Sequence, residues 1–87
     1  MASKPRKLLT IEELSDWFTE EIQRTAGFAG TTISVQYPLA EPDDDGCNWS
    51  TDLIINFGDD ANPDDVRRAL EAALMPFARR TFNLTDD

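Results

Sequence analysis

Two stretches of alternating apolar and polar residues constrain this chain more than any other feature. In TTISVQYP (31–38), Ile33, Val35 and Tyr37 fall on one face and Thr32, Ser34 and Gln36 on the other. In CNWSTDLIINF (47–57), Cys47, Trp49, Leu53, Ile55 and Phe57 share a face. Asn48, Ser50, Asp52 and Asn56 share the opposite one, with Ile54 its odd apolar member. A period of two marks a half-buried strand. The intervening PLAEPDDDG is rich in residues that turn a chain, so the pair predicts an antiparallel hairpin. Two strands are marginal alone in water, so the apolar face needs a cover.

Two helical patterns supply it. Residues 10–26 open on Thr10 and Glu13 at capping-box spacing, with Leu9 and Leu14 at the spacing of a hydrophobic staple. Ile11, Leu14, Phe18 and Ile22 then recur on one side, and Gly27 is a natural stop. Residues 62–82 open on Asn62 as a cap, Pro63 at the first helical position and Asp64 and Asp65 where the helix dipole favours anions. Val66, Leu70, Ala73, Leu74 and Phe77 form the apolar side. Pro76 lies inside the pattern and predicts a kink or break, because it cannot donate to the carbonyl of Ala72. The expected fold is therefore α+β in the order α-β-β-α, with both helices packed on the apolar face of the hairpin.

At 87 residues the chain is one small domain, placed at 9–84. Residues 1–8 read as a flexible basic tail and 85–87 as a frayed acidic end. A domain this small is marginal without a staple or a partner. One cysteine excludes an internal disulfide. A lone thiol, with no apolar run of signal-peptide or membrane-span length, points to the cytoplasm. The charge is 17 acids against 8 bases, a net −9. Phosphate backbones and anionic membranes repel such a surface, so nucleic acid is disfavoured and no membrane role is expected.

The acidic loop raises a metal question. Glu41, Asp43, Asp45, Gly46 and Asp52 fall on positions 1, 3, 5, 6 and 12 of a calcium loop of EF-hand type. Against this, the flanks read as strands, and about 3.3 Å per strand residue carries Asp52 roughly 15–20 Å from Asp43 and Asp45. A solvated acidic turn is the simpler account. Cys47 follows three aspartates, whose charge disfavours a thiolate, and the chain has no histidine to activate it. Its phase places it in the core beside Trp49. Trp17 falls at the rim of the first helix's apolar stripe. With Ser34, Gln36, Asn48, Ser50, Asp52, Ile54 and Asn56 on the polar sheet face, it makes up the candidate interaction surface.

The run EPDDDGCNWS, together with the closing FNL at 82–84, resembles a group of small bacterial proteins of unknown function. The likeness runs from the first helix to residue 84. It implies a small bacterial cytoplasmic protein and transfers no catalytic or binding residue. The expected function is a non-enzymatic protein-interaction module without a cofactor. Its partner would be an unknown protein or a second copy. Divalent cation binding through 41–52 is the alternative.

Overall fold

The computed structural model describes residues 6–24, 28–44 and 46–85. It is an α+β fold. In order, the elements are β1 (Lys7–Leu9), α1 (Ile11–Gln23), β2 (Thr32–Ser34), β3 (Ile54–Asn56), α2 (Pro63–Ala69), a π-helical turn (Leu70–Leu74), α3 (Met75–Thr81) and β4 (Phe82–Leu84). β2 and β3 pair antiparallel, and β1 and β4 pair parallel. The predicted α-β-β-α order thus gains a strand at each end.

The capping box of α1 forms as predicted. Glu13 N–H donates to the Thr10 hydroxyl at 3.1 Å, and Thr10 N–H donates to the Glu13 carboxylate at 3.0 Å. Leu14, Phe18 and Ile22 are fully buried, one helical turn apart. Burying each stabilises by about 1.5–3 kcal/mol. A second row on α1, Ser15, Thr19 and Gln23, turns to the backbone of β2. Thr19 Oγ1 accepts from Ile33 N–H at 2.9 Å and donates to Ile33 C=O at 3.0 Å. Ser15 Oγ accepts from Val35 N–H, and Gln23 Nε2 donates to Thr31 C=O. One helix therefore covers the face of the hairpin and closes one of its edges.

The second helix does not break at Pro76. It absorbs the proline through the π turn that precedes it. Proline lacks the N–H that would bond Ala72, and its ring collides with that carbonyl in α register. An extra residue in the turn relieves the conflict, and Met75 N–H reaches back to Leu70 C=O. The insertion advances the phase by one residue. Ala78 is buried where Phe77 was expected, Phe77 is 45% exposed, and Ala73 also faces solvent. Met75 is rotated to pack on the core.

Three further expectations change. Lys7 and Leu8, assigned to a flexible tail, lie in β1, and the Arg6 guanidinium donates to the Arg79 carbonyl. The helix ends at Thr81, and 82–84 are extended as β4, beyond which Thr85 N–H bonds Leu9 C=O at 2.9 Å. The second strand is regular only at 54–56. The hairpin pairs Ser34 with Ile54 and next Pro38 with Trp49. Three residues (35–37) thus oppose four (50–53), and this bulge interrupts the ladder. Tyr37, expected inside, is exposed within this interval. The predicted stop at Gly27 and the residues 86–87 lie outside the described residues.

Gly58 marks where α1's partner strand meets the chain leaving β3. Its N–H donates to Oγ1 of the fully buried Thr31 at 3.0 Å. A Cβ on Gly58 would collide with the carbonyl oxygen of Ala29. Gly58→Ala is expected to cost about 1–3 kcal/mol through overpacking, read as a lower urea midpoint at unchanged m-value.

Candidate functional site

Residues 46–49 and 82–84 form one polar clamp. Asn48 Oδ1 accepts from Leu84 N–H at 2.7 Å, and Asn48 Nδ2 donates to Leu84 C=O at 3.0 Å. The carboxamide thus pairs with β4 as a neighbouring strand would. Asn83 answers from the other side, with Nδ2 donating to Gly46 C=O at 2.9 Å and Oδ1 accepting from Asn48 N–H at 3.4 Å. The indole N–H of the fully buried Trp49 donates to Phe82 C=O at 3.0 Å. The clamp thus joins the loop end of the hairpin to β4.

The acidic loop is locked by its own protein partners. Asp43 Oδ1 accepts from Cys47 N–H at 3.0 Å, and Oδ2 accepts from the Arg79 guanidinium at 2.8 Å. Gly46 takes a φ of +87°, which its missing Cβ permits, and its N–H closes on Asp43 C=O. Both oxygens of Asp43 are therefore engaged, while Glu41 and Asp52 face solvent. Asp45 lies outside the described residues. Among the described residues no three His, Cys, Asp or Glu side chains converge.

Cys47 is fully buried, and its thiol contacts Trp49 C=O at 3.6 Å. Burial pushes its pKa up, and the Asp43 charge adds to this. The Trp49 carbonyl contact and Arg79 act in the opposite direction and offset only part. The thiol is held neutral and out of reach, which suits a core residue rather than a nucleophile.

The predicted interaction surface divides. Ser34, Asp52, Ile54 and Asn56 are exposed on and beside the β2–β3 sheet. Gln36 is also exposed, and its amide donates to Asp52 C=O. Asn48 and Ser50 turn inward instead. Asn48 serves the clamp, and the buried Ser50 accepts from Asp52 N–H at 3.1 Å within the bulge. The strand alternation that placed them outside does not persist through the bulge. Trp17 is half-buried, stacked on Phe77 with ring centroids 5.7 Å apart and edge-on to Phe82 at 5.1 Å.

The two edges of the β2–β3 sheet are treated differently. The N–H and C=O of Ile33 both go to Thr19, so Ile33 and Ile55 face each other as the non-hydrogen-bonded pair. The backbone groups of Ile55 therefore point away from β2. Among the described residues nothing bonds to them, and no strand lies beyond β3. The inward side chains tell the same story. Ile33 and Val35 are 1% and 4% exposed, whereas Leu53, Ile55 and Phe57 are only half-buried.

Compared with protein-family models, curated proteins and solved structures, the chain matches none.

Sequence reasoning missed Asn83, Arg79 and which of the two sheet edges stands open. No local pattern announces the first two. The signal for the last was the run 53–58, which carries neither the lysine nor the proline that usually protects an edge.

Asn48→Ala is expected to cost about 1–3 kcal/mol by stranding both backbone groups of Leu84, and to speed hydrogen exchange at the Leu84 amide. The raised Cys47 pKa fixes a second outcome. The unfolded thiol loses its proton first, so this contribution to stability is intact below the ordinary thiol pKa of about 8.5 and is lost as pH rises above it. The fall in urea midpoint between neutral pH and pH ~10 should be shallower in Cys47→Ala.

Proposed function

We propose that the protein is a non-enzymatic protein-interaction module that receives an added strand at β3. The observation that carries this reading is the unequal treatment of the two sheet edges. α1 closes the edge of β2 with Ser15, Thr19 and Gln23, while the N–H and C=O of Ile55 stand open. An open edge gives affinity through main-chain bonds and specificity through alternate side chains. Ile54, 48% exposed on the outer face among Thr32, Ser34 and Asn56, supplies an apolar anchor beside it.

The non-enzymatic half of the reading is supported by the chemistry of the site residues. The single thiol is buried with a raised pKa, and the chain has no histidine. A groove of about 560 Å³ between the start of α1 and residues 38–39 has Glu12 as its only ionisable lining residue. Acid–base catalysis needs a positioned, tuned group, and the ionisable residues of this groove and of a second one, Lys7, Glu13, Asp16 and Glu20, are all exposed. A lone thiol fits a reducing compartment. No helix among the described residues is long and apolar enough to cross a membrane.

A photo-crosslinking residue at exposed Asn56 should give partner adducts in cells, and one at exposed Ala73 should not. Ile55→Pro, which removes an outward N–H while sparing the bonds to β2, should abolish the adducts. Equal labelling from the two positions, or labelling indifferent to Ile55→Pro, would sink the strand-addition reading.

A further inference from the structure

Resting on that reading, we infer that the strand added at β3 is the β3 of a second copy, antiparallel about a two-fold axis through Ile55. A two-fold interface uses the same patch twice, so residue i meets j and j meets i. The run Leu53-Ile54-Ile55-Asn56-Phe57 meets that demand. With Ile55 opposite Ile55, Leu53 lies opposite the second copy's Phe57. The inner face then pairs three half-buried apolar side chains with three more, covering the part of the core that β3 leaves open. On the outer face, Ile54 meets Asn56 twice. The result is a four-stranded sheet whose two outer edges are both closed by α1.

Composition favours the same register. No charged residue lies between Asp52 and Asp59, in a chain of net −9. With Ile55 on the axis, each inner-face residue from Leu53 to Phe57 meets an apolar partner. Moving the axis to Asn56 would leave Leu53 with no apolar residue opposite it. Moving it to Ile54 would trade Phe57–Leu53 contacts for Phe57–Thr51. The pleat forbids the one-residue offset between these, because it would place inner side chains opposite outer ones. The neutral edge also separates this partner from a basic protein. Two copies repel through their net charge, so added salt, which screens charge, tightens the dimer. A basic partner would be released by salt instead.

The test is sedimentation equilibrium of the full chain at micromolar to millimolar concentration, in low and high salt. A monomer–dimer equilibrium that strengthens with salt is expected, and a monomer throughout overturns the inference. Position comes from disulfide trapping in a Cys47→Ala background. Ile55→Cys should link two copies under mild oxidation, since paired Cα atoms sit about 5.5 Å apart, inside the disulfide range of about 4.4–6.8 Å. Leu53→Cys should not, because it faces residue 57. A dimer that links equally at both positions, or at neither, uses another surface and overturns the inference. Ile54→Lys touches no buried group and should weaken the dimer about tenfold. Mixing it with Asn56→Glu should restore association, while indifference to both counts against the register. A chain that stays monomeric yet crosslinks another protein from Asn56 in an Ile55-dependent way would leave the strand-addition reading standing and remove only the second copy.

Discussion

The bond from the Trp49 indole to the Phe82 carbonyl organises this small domain. A tryptophan brings the largest apolar surface available to a core, but its N–H must find an acceptor once buried. Here the acceptor is the first residue of β4. That requirement fixes where the chain must be when it returns from α3. It places β4 between the hairpin loop and β1, and it brings Asn48 and Asn83 within reach of each other's segments. Phe18 then packs edge-on against the same indole at 5.7 Å, so α1 is located by the same side chain. Removing the tryptophan would take away the core's centre and the register of its last strand together.

The clamp shows how a short chain makes a sheet-like connection without a third strand. A carboxamide offers one donor and one acceptor in a plane, the complement that a strand edge presents. Asn48 and Asn83 use this reciprocally, and Asp43 repeats the logic one turn away by holding Cys47 N–H and Arg79 together. The described part of the loop is thus tied down by amide hydrogen bonds and one partly exposed ion pair. Its acidity contributes to the charge of the molecule, while its shape is set by hydrogen bonds to its neighbours.

Much of the core was legible in the sequence. Thr10 with Glu13, the stripe Leu14–Phe18–Ile22, and the phase of Ile33, Val35, Cys47 and Trp49 are local patterns, each repeated often enough to stand out. The α+β class follows from them. β1 and β4 were not legible, because three residues carry too little alternation to separate a strand from a tail or a helix end. Their pairing joins opposite ends of the chain, where no local pattern reaches. The π turn was half-visible. Pro76 announced a conflict, but only the packing of Ala78 and Met75 decides whether a helix breaks or adds a residue. Ser34, Ile54 and Asn56 are exposed as their phase predicts, where the ladder is regular. Ser50 is buried instead, because a bulge is one residue long and leaves the alternation of the sequence intact.

The ladder between β1 and β4 carries a consequence for how the chain assembles. Lys7 pairs with Phe82, and 82 − 7 = 75 residues separate them. Contacts of such separation incur the largest loop-closure entropy and form late unless other structure has already drawn the segments together. α1 and the hairpin can dock first, since their contacts are closer in sequence. The indole of Trp49 would then wait, desolvated on one side, for a carbonyl that arrives only when β4 docks. Fluctuations of the finished protein should follow the same path backwards. The two terminal strands would leave together as one cooperative unit, briefly uncovering Trp49 while the helix-capped hairpin stays intact.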